Sequence, residues 1–421
     1  MRVAVYSLGC KVNIYESEYV INLLKNHDYQ IVDFDDVADI YIINTCSVTN
    51  ESDKKSRKII NQAKRKNKDA IIVVMGCYSQ IRSGEVDTDI VIGNKDKSHI
   101  LDIISEYLTN HKQIKRVYDL SNQEFEDMTI TNFENHTRAF VKIQDGCNAY
   151  CSYCIIPYTR GGLRSKKMDK VIEEVSLLVK NGYKEIVLTG IHTGRYGIDI
   201  NTNLETLLDE LVKIEGLYRI RLSSIEINEL TPHIIELIST NDKIAKHLHV
   251  PIQSGSDKIL KSMNRRYNKE EFINKINELK KIKDISLTTD LIVGFPGEGE
   301  EEFQETMDTL KEIGFTKIHT FPYSRRNGTP ASTMSNQVEE SIKKKRVREV
   351  INLSNELENT YYNKFIGRVF DGLVEARRDE KFVLTSNYIS VVVNDDVQNN
   401  EIVNVMITKV DNDKVYGKIV K

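Results

Sequence analysis

Apolar residues recur along this chain with two periods, and the places where one gives way to the other divide it. Over residues 1–112 short apolar runs alternate with amphipathic stretches. RVAVYSL (2–8), DIYIINT (39–45), AIIVVMG (70–76) and DIVIGN (89–94) have the length and composition of strands. Between them, residues 16–27 place Tyr19, Val20, Leu23 and Leu24 on one helical face. Residues 52–66 read as a basic helix capped by Ser52, and a short helix ends near residue 109. This βαβα order predicts a Rossmann-like parallel α/β domain. Residues 113–137 are polar and irregular and are expected to form a linker with one short strand.

From residue 138 to about 330 the strand-then-helix pattern repeats six times. The strands are RAFVKIQ, EIVLTGI, YRIRLSS, HLHVPIQ, ISLTTDLIVGF and KIHTFPYS. Six units are fewer than the eight of a closed TIM barrel, so a partial (β/α)6 barrel is predicted. A long charged helix over 338–364 completes this domain. Residues 365–421 switch to Val- and Ile-rich runs (IGRVFDGLVEA, KFVLTSNYISVVVN, EIVNVMITKV, KVYGKIVK), which predict a small β-barrel.

The 421 residues carry 59 Lys+Arg and 62 Asp+Glu, a net charge of −3, which argues against a general nucleic-acid coat and leaves only local basic patches. The composition excludes a disordered chain and a disulfide scaffold. No apolar run is long enough for a membrane helix and the first residues have no secretory pattern, so a cytoplasmic protein is expected.

The six cysteines divide into two triads. Cys147, Cys151 and Cys154 form a C-x3-C-x2-C run in GCNAYCSYCIIPY, whereas Cys10, Cys46 and Cys77 are far apart. Closely spaced thiolates suit a soft metal or an iron–sulfur cluster. Three ligands leave one iron of a cubane free to bind a substrate, while structural zinc normally takes four. Each distant cysteine follows the C-terminal end of a predicted strand, the edge where parallel sheets bind ligands. The three can therefore converge on a second cluster.

The C-x3-C-x2-C after the first strand of a six-unit barrel resembles the radical S-adenosylmethionine (SAM) superfamily. The N-terminal three-cysteine domain and the C-terminal TRAM-like β module make the whole chain similar to the methylthiotransferases, in the same domain order. The motifs LGCKVNIYESE (8–18), INTCSVTNESDKKSRK (43–58), TGIHTGRYG (189–197), RLSSIE (221–226), VPIQSGS (250–256), DLIVGFPGE (290–298) and FPYSRRNGTPA (321–331) resemble most the branch acting on threonylcarbamoyladenosine in tRNA. The superfamily's Gly-Gly-Glu after the second barrel strand is replaced here by Thr189-Gly190-Ile191-His192.

The resemblance implies a 4Fe–4S cluster on Cys147, Cys151 and Cys154 that chelates SAM and cleaves it to a 5′-deoxyadenosyl radical. It implies an auxiliary 4Fe–4S cluster on Cys10, Cys46 and Cys77 that carries the sulfur to be methylated. The reaction implied is methylthio insertion at carbon 2 of the modified adenosine next to the anticodon, at nucleotide 37. It needs an electron donor and a sulfur source, and the two clusters must face each other across the substrate. Tyr153, Thr189, Gly190, Glu226 and Gln253 are candidate SAM contacts, with Gly294-Phe295-Pro296-Gly297 as a close backbone approach to its adenosyl part. Lys55 and Arg57 in the stripe 54–58, Arg160 and Arg164 after the radical triad, and Arg325 and Arg326 after the sixth strand are candidate tRNA phosphate contacts. Three other readings fit the same cysteines. One is the same chemistry on isopentenyladenosine tRNA or on a ribosomal protein. Another is a non-catalytic iron–sulfur RNA-binding sensor. The third is structural zinc in both triads.

Overall fold

A computed structural model describes every residue except 122, 135, 378, 379, 412, 413 and 421. Residues 122 and 135 of the expected linker, and Lys421 at the end of the last expected strand, therefore lie outside the described residues. The N-terminal domain is a six-stranded sheet of β1 (Arg2–Ser7), β2 (Gln30–Val32), β3 (Ile40–Thr45), β4 (Ile71–Gly76), β5 (Ile90–Ile92) and β6 (Ile114–Arg116). The order is β2-β1-β3-β4-β5-β6 and every pairing is parallel. β6 is the short strand expected within the linker segment, and it forms one edge of the sheet because Ile114 buries against β5. The strands β3 and β4 are buried on both faces, as parallel strands between helices must be.

Four helices, α1 (Lys11–Lys25), α2 (Asn50–Lys66), α3 (Cys77–Arg82) and α4 (Ile100–Asn110), connect these strands. The cap of α2 is Thr49 and not Ser52: the Thr49 hydroxyl accepts the Ser52 backbone N–H at 3.1 Å, which places Ser52 inside the first turn.

The six expected barrel strands all form, in chain order. They are β7 (Ala139–Lys142), β10 (Glu185–Thr189), β11 (Arg219–Leu222), β12 (His247–His249), β13 (Ser286–Val293) and β14 (Lys317–Pro322). Parallel pairing joins β7, β10 and β11, and again β12, β13 and β14. The isolated bridges Ile220↔Ile244 and Ser224↔His249 join the two halves into one arc. An unanticipated short hairpin, β8 (Gln144–Asp145) with β9 (Arg164–Ser165), clasps the base of the cysteine loop. Strand alternation points Val141, Ile186, Leu188, Ile220, Leu222 and Leu291 outward into the helix-facing core. The opposite set, including Lys142, Glu185, Arg219, Arg221, His247 and Asp290, faces the interior and is strongly polar.

The C-terminal strands β15 (Val369–Arg377), β16 (Glu380–Thr385), β17 (Ser390–Val393), β18 (Ile402–Asp411) and β19 (Lys414–Val420) close into a barrel. Its β16–β17 turn docks on the N-terminal end of the larger barrel. Arg221 donates to the carbonyls of Thr385 and Ser386, and Tyr388 stacks on His247 with ring centroids 4.4 Å apart. Among the described residues no helix is long and apolar enough to cross a membrane.

Buried charge helps to fasten the N-terminal domain to the barrel, beside the apolar packing of Tyr15 and Ile14 into the barrel core. Glu16 of α1 is completely buried and is bonded by Lys97 at 2.7 Å, Lys142 at 2.9 Å and Arg160 at 3.0 Å. Asp145 takes a second bond from Arg160 at 3.0 Å and one from Lys142 at 2.6 Å. Burial alone would raise both carboxyls, but Arg160 and Lys142, joined at Glu16 by Lys97, overcome it and hold both below the usual range. Glu185 is likewise held down, to about 2, where Arg221, Arg138 and Arg219 outweigh its burial. A carboxylate depressed by folding stabilises the fold above its unfolded pKa, about 4. That contribution is lost as the pH falls through the lower, folded value. The urea midpoint is therefore expected to fall steeply once the pH drops below about 4. Urea melts at successive pH values between neutrality and pH 3 check this.

Candidate cysteine centres

Three loops at the C-terminal edge of the N-terminal sheet carry the first triad. Cys10 follows β1, Cys46 follows β3 and Cys77 opens α3 after β4. β1 and β3 flank the point where the strand order reverses, the crevice in which such sheets bind ligands. Two of these loops depend on glycine. Gly9 has φ +103°, and a side chain there would meet Cys46 Cβ at 2.9 Å. Gly76 has φ +101°, with Asn44 Oδ1 only 2.5 Å from any added Cβ. The close approach at Gly9 brings the Cys10 and Cys46 loops together, and the three thiols act on one another electrostatically. Burial, aided by Cys77, pushes the Cys46 thiol up to about 11.

The second triad lies in the loop between β8 and the short helix α5 (Ile156–Arg160). Cys154 is pushed up to about 12, by burial first and then by Cys151 and Cys147. Two cations that the sequence reading did not single out reach its sulfurs. His192 Nδ1 lies 3.3 Å from Cys147 Sγ, and its Nε2 lies 2.6 Å from Glu229. Burial would lower this imidazole, but the bonds to Cys147 and Glu229 raise it to about 9, so it is protonated at neutral pH. Arg265 donates to Cys151 Sγ at 3.3 Å and also grips Glu226. The visible signal for His192 was its position in the TGIH segment. Arg265 had none, since its partners are 39 and 114 residues away.

The two triads are tied together loop by loop. Asn13, one turn after Cys10, accepts Arg160 Nη2 at 2.6 Å. Asn94 donates to Cys77 Sγ at 3.4 Å and to the Thr159 carbonyl at 2.7 Å. Ser47, next to Cys46, accepts Arg326 Nη2 at 2.8 Å, and Asp53 takes Arg326 Nη1 at 2.9 Å. Each loop of the first triad is thus anchored to a loop at the C-terminal edge of the barrel.

These contacts correct part of the expected tRNA surface. Arg160 and Arg326 are buried and committed to carboxylates, and Arg164 is buried beside Asp145. A guanidinium enclosed this way cannot meet a phosphate. Lys55, Arg57 and Arg325 are exposed. Among the expected SAM contacts, Tyr153 packs with Phe295, Met263 and Tyr323, which supports shielding of the cluster loop. Thr189 is buried at the end of β10, and Gly190 leaves a Cβ only 3.1 Å from Gln144. Glu226 is held by Arg265. Gln253 has φ +64° and bonds through its backbone to Asp290 and Ile292, a strained strand end facing the same edge.

Comparison with known proteins agrees with this layout. Residues 141–310 match the radical SAM superfamily and residues 2–93 match the uncharacterized protein family UPF0004. The threonylcarbamoyladenosine tRNA methylthiotransferase of Bacillus subtilis is 45% identical over 404 residues, covering 93% of this chain and 90% of that protein. The tRNA-2-methylthio-N(6)-dimethylallyladenosine synthase of Thermodesulfovibrio yellowstonii is 36% identical over 99% of both chains. Among solved structures, the radical SAM methyltransferase TsrM of Kitasatospora setae superposes with a TM-score of 0.59 at 14% identity, over 79% of this chain and 76% of its own. The chain belongs to the radical SAM methylthiotransferase family.

It is therefore an enzyme that transfers a methylthio group and works with SAM and 4Fe–4S chemistry. The donor set of the second triad fits such a cluster. Its Cys154 thiol, pushed up by burial, stays protonated alone and loses the proton to a metal. Among the described residues no group of His, Cys, Asp or Glu is set closely enough to hold a single ion. A cubane needs wider spacing, because each thiolate takes a different iron. When bound, the cluster and SAM supply an electron and a 5′-deoxyadenosyl radical, which can act on an unpolarised C–H bond that no side-chain base could open. The chain contributes the surroundings. His192 and Arg265 place two positive charges and two donors against the sulfurs and offset their negative charge. Glu229 and Glu226 orient those cations from behind. Tyr153 and Phe295 exclude water on one side.

Proposed function

We propose that this enzyme inserts a methylthio group at carbon 2 of threonylcarbamoyladenosine 37 in tRNA, using two 4Fe–4S clusters. Cys147, Cys151 and Cys154 hold the cluster that binds SAM. Cys10, Cys46 and Cys77 hold an auxiliary cluster that delivers the sulfur. The observation that carries this reading is the triad Cys10, Cys46 and Cys77, gathered on one sheet edge and bonded loop by loop to the barrel edge that carries Cys147, Cys151 and Cys154. The names of the relatives favour threonylcarbamoyladenosine, since the more similar one cited acts on that nucleoside.

The surface around this edge suits a splayed anticodon loop. Lys54, Lys55, Arg57, Lys58 and Arg325 are exposed there, and Tyr150 of the cysteine loop and Tyr158 of α5 present exposed rings 6.5 Å apart. Backbone charge with aromatic faces is how unpaired RNA bases are held. A K55A/R57A variant is expected to bind tRNA more weakly whatever the base at position 37. The slope of log affinity against log salt should become shallower by about 1 per residue removed. Filter binding across a salt series measures this. The proposed reaction itself is tested by mass spectrometry of tRNA nucleosides from a strain lacking this gene. Loss of the methylthio form of threonylcarbamoyladenosine is the expected result, and loss of the methylthio dimethylallyl form would redirect the assignment.

A further inference from the structure

The polar interior of the barrel holds many cations, and nearly all have a carboxylate. Lys97, Lys142 and Arg160 share Glu16 and Asp145. Arg138, Arg219 and Arg221 share Glu185. Lys11 is different. It is part-buried, and no hydrogen bond or ion pair engages its ammonium among the described residues. The charged or polar groups that act on it most strongly are Tyr388, Arg138, Arg221 and Cys10, none of them a carboxylate. Its backbone follows Cys10 directly, at the first position of α1. Lys11 thus reaches from the first cysteine triad into the barrel interior with its charge unmatched.

We propose that the Lys11 ammonium is the receptor for the carboxylate of the threonylcarbamoyl group, and so selects the substrate base. This inference rests on the function proposed above. A base whose carbon 2 lies at the sulfur carried by Cys10, Cys46 and Cys77 has its N6 substituent within side-chain reach of the neighbouring residue. The threonylcarbamoyl substituent ends in a carboxylate. A dimethylallyl substituent is a neutral hydrocarbon. A part-buried ammonium beside two arginines is costly until an anion meets it. The acidic substituent removes that cost, whereas the hydrocarbon leaves the cation desolvated and unpaired. The same residue therefore attracts one nucleoside and rejects the other.

The test uses the full-length, reconstituted protein and anticodon stem-loop RNAs that differ only at position 37. They carry threonylcarbamoyladenosine, unmodified adenosine or dimethylallyladenosine. Dissociation constants, KM and kcat are measured for the wild type, K11Q and K11R, with iron content checking that each variant is folded and loaded. The wild type is expected to prefer the threonylcarbamoyl loop over the unmodified one by about 10- to 100-fold, the yield of one charge-assisted bond. K11Q should flatten that preference, chiefly through affinity and KM, and K11R should keep most of it. Three results would overturn the proposal. K11Q keeps the full preference. K11Q weakens all three RNAs equally, which makes Lys11 a phosphate contact. K11Q weakens SAM binding while the RNA preference stays, which assigns Lys11 to the carboxylate of SAM. A wild type that modifies only the dimethylallyl loop would instead refute the proposed substrate, whatever K11Q does.

Discussion

A C10A/C46A/C77A variant is expected to lose methylthio transfer completely while still converting SAM to 5′-deoxyadenosine. The two triads sit on different domains and share no ligand, so removing one leaves the other's thiols in place. Reconstituted wild-type protein should bind about eight irons and the variant about four. The reciprocal C147A/C151A/C154A variant should keep about four irons and form no deoxyadenosine. The contacts around the first triad make this a clean experiment. Asn13 and Ser47 hold Arg160 and Arg326 through side-chain oxygens that do not belong to the cysteines. The domain interface therefore survives the loss of the sulfurs. If the C10A/C46A/C77A protein still made the methylthio product, the auxiliary site would have no part in the reaction.

Substitution of Arg160 by Met is expected to cost about 3 kcal/mol of stability and to abolish methylthiolation. Its guanidinium bonds Glu16, Asp145 and Asn13 at once, in a site without solvent. Removing it leaves two buried carboxylates short of a partner and frees the side chain that anchors the Cys10 loop. Lys97 and Lys142 remain beside them, which keeps the loss toward the lower end for a broken buried pair. Lysine at this position would restore the charge without the planar fork and should recover only part of the loss. Urea denaturation reports the stability. Product formation at matched iron content reports whether the two cysteine centres still face each other.

Much of this was legible in the chain. The period of the apolar residues located ten of the strands that matter for the site, because β3, β4 and the barrel strands are uninterrupted apolar or alternating runs. The six cysteines announced themselves by spacing and by their place just after strands. The basic residues did not. Arg160 and Arg326 have the same local pattern as exposed Arg57, and their carboxylate partners include Glu16 and Asp53, 144 and 273 residues away. Only folding decides whether such a residue meets a phosphate or a buried glutamate. The sulfur-facing roles of His192 and Arg265 were hidden in the same way. The strand β2 was missed because three residues at a sheet edge carry too few apolar positions to show a period.

The most direct test of the central claim is a single anaerobic reaction. Reconstituted enzyme is mixed with SAM, a low-potential reductant and tRNA carrying threonylcarbamoyladenosine 37, and the digested nucleosides are resolved by mass spectrometry alongside 5′-deoxyadenosine. The expected result is the methylthio derivative of that nucleoside, formed with deoxyadenosine and absent when SAM or reductant is omitted. Deoxyadenosine accumulating over unchanged threonylcarbamoyladenosine, with dimethylallyl tRNA converted under the same conditions, would contradict it.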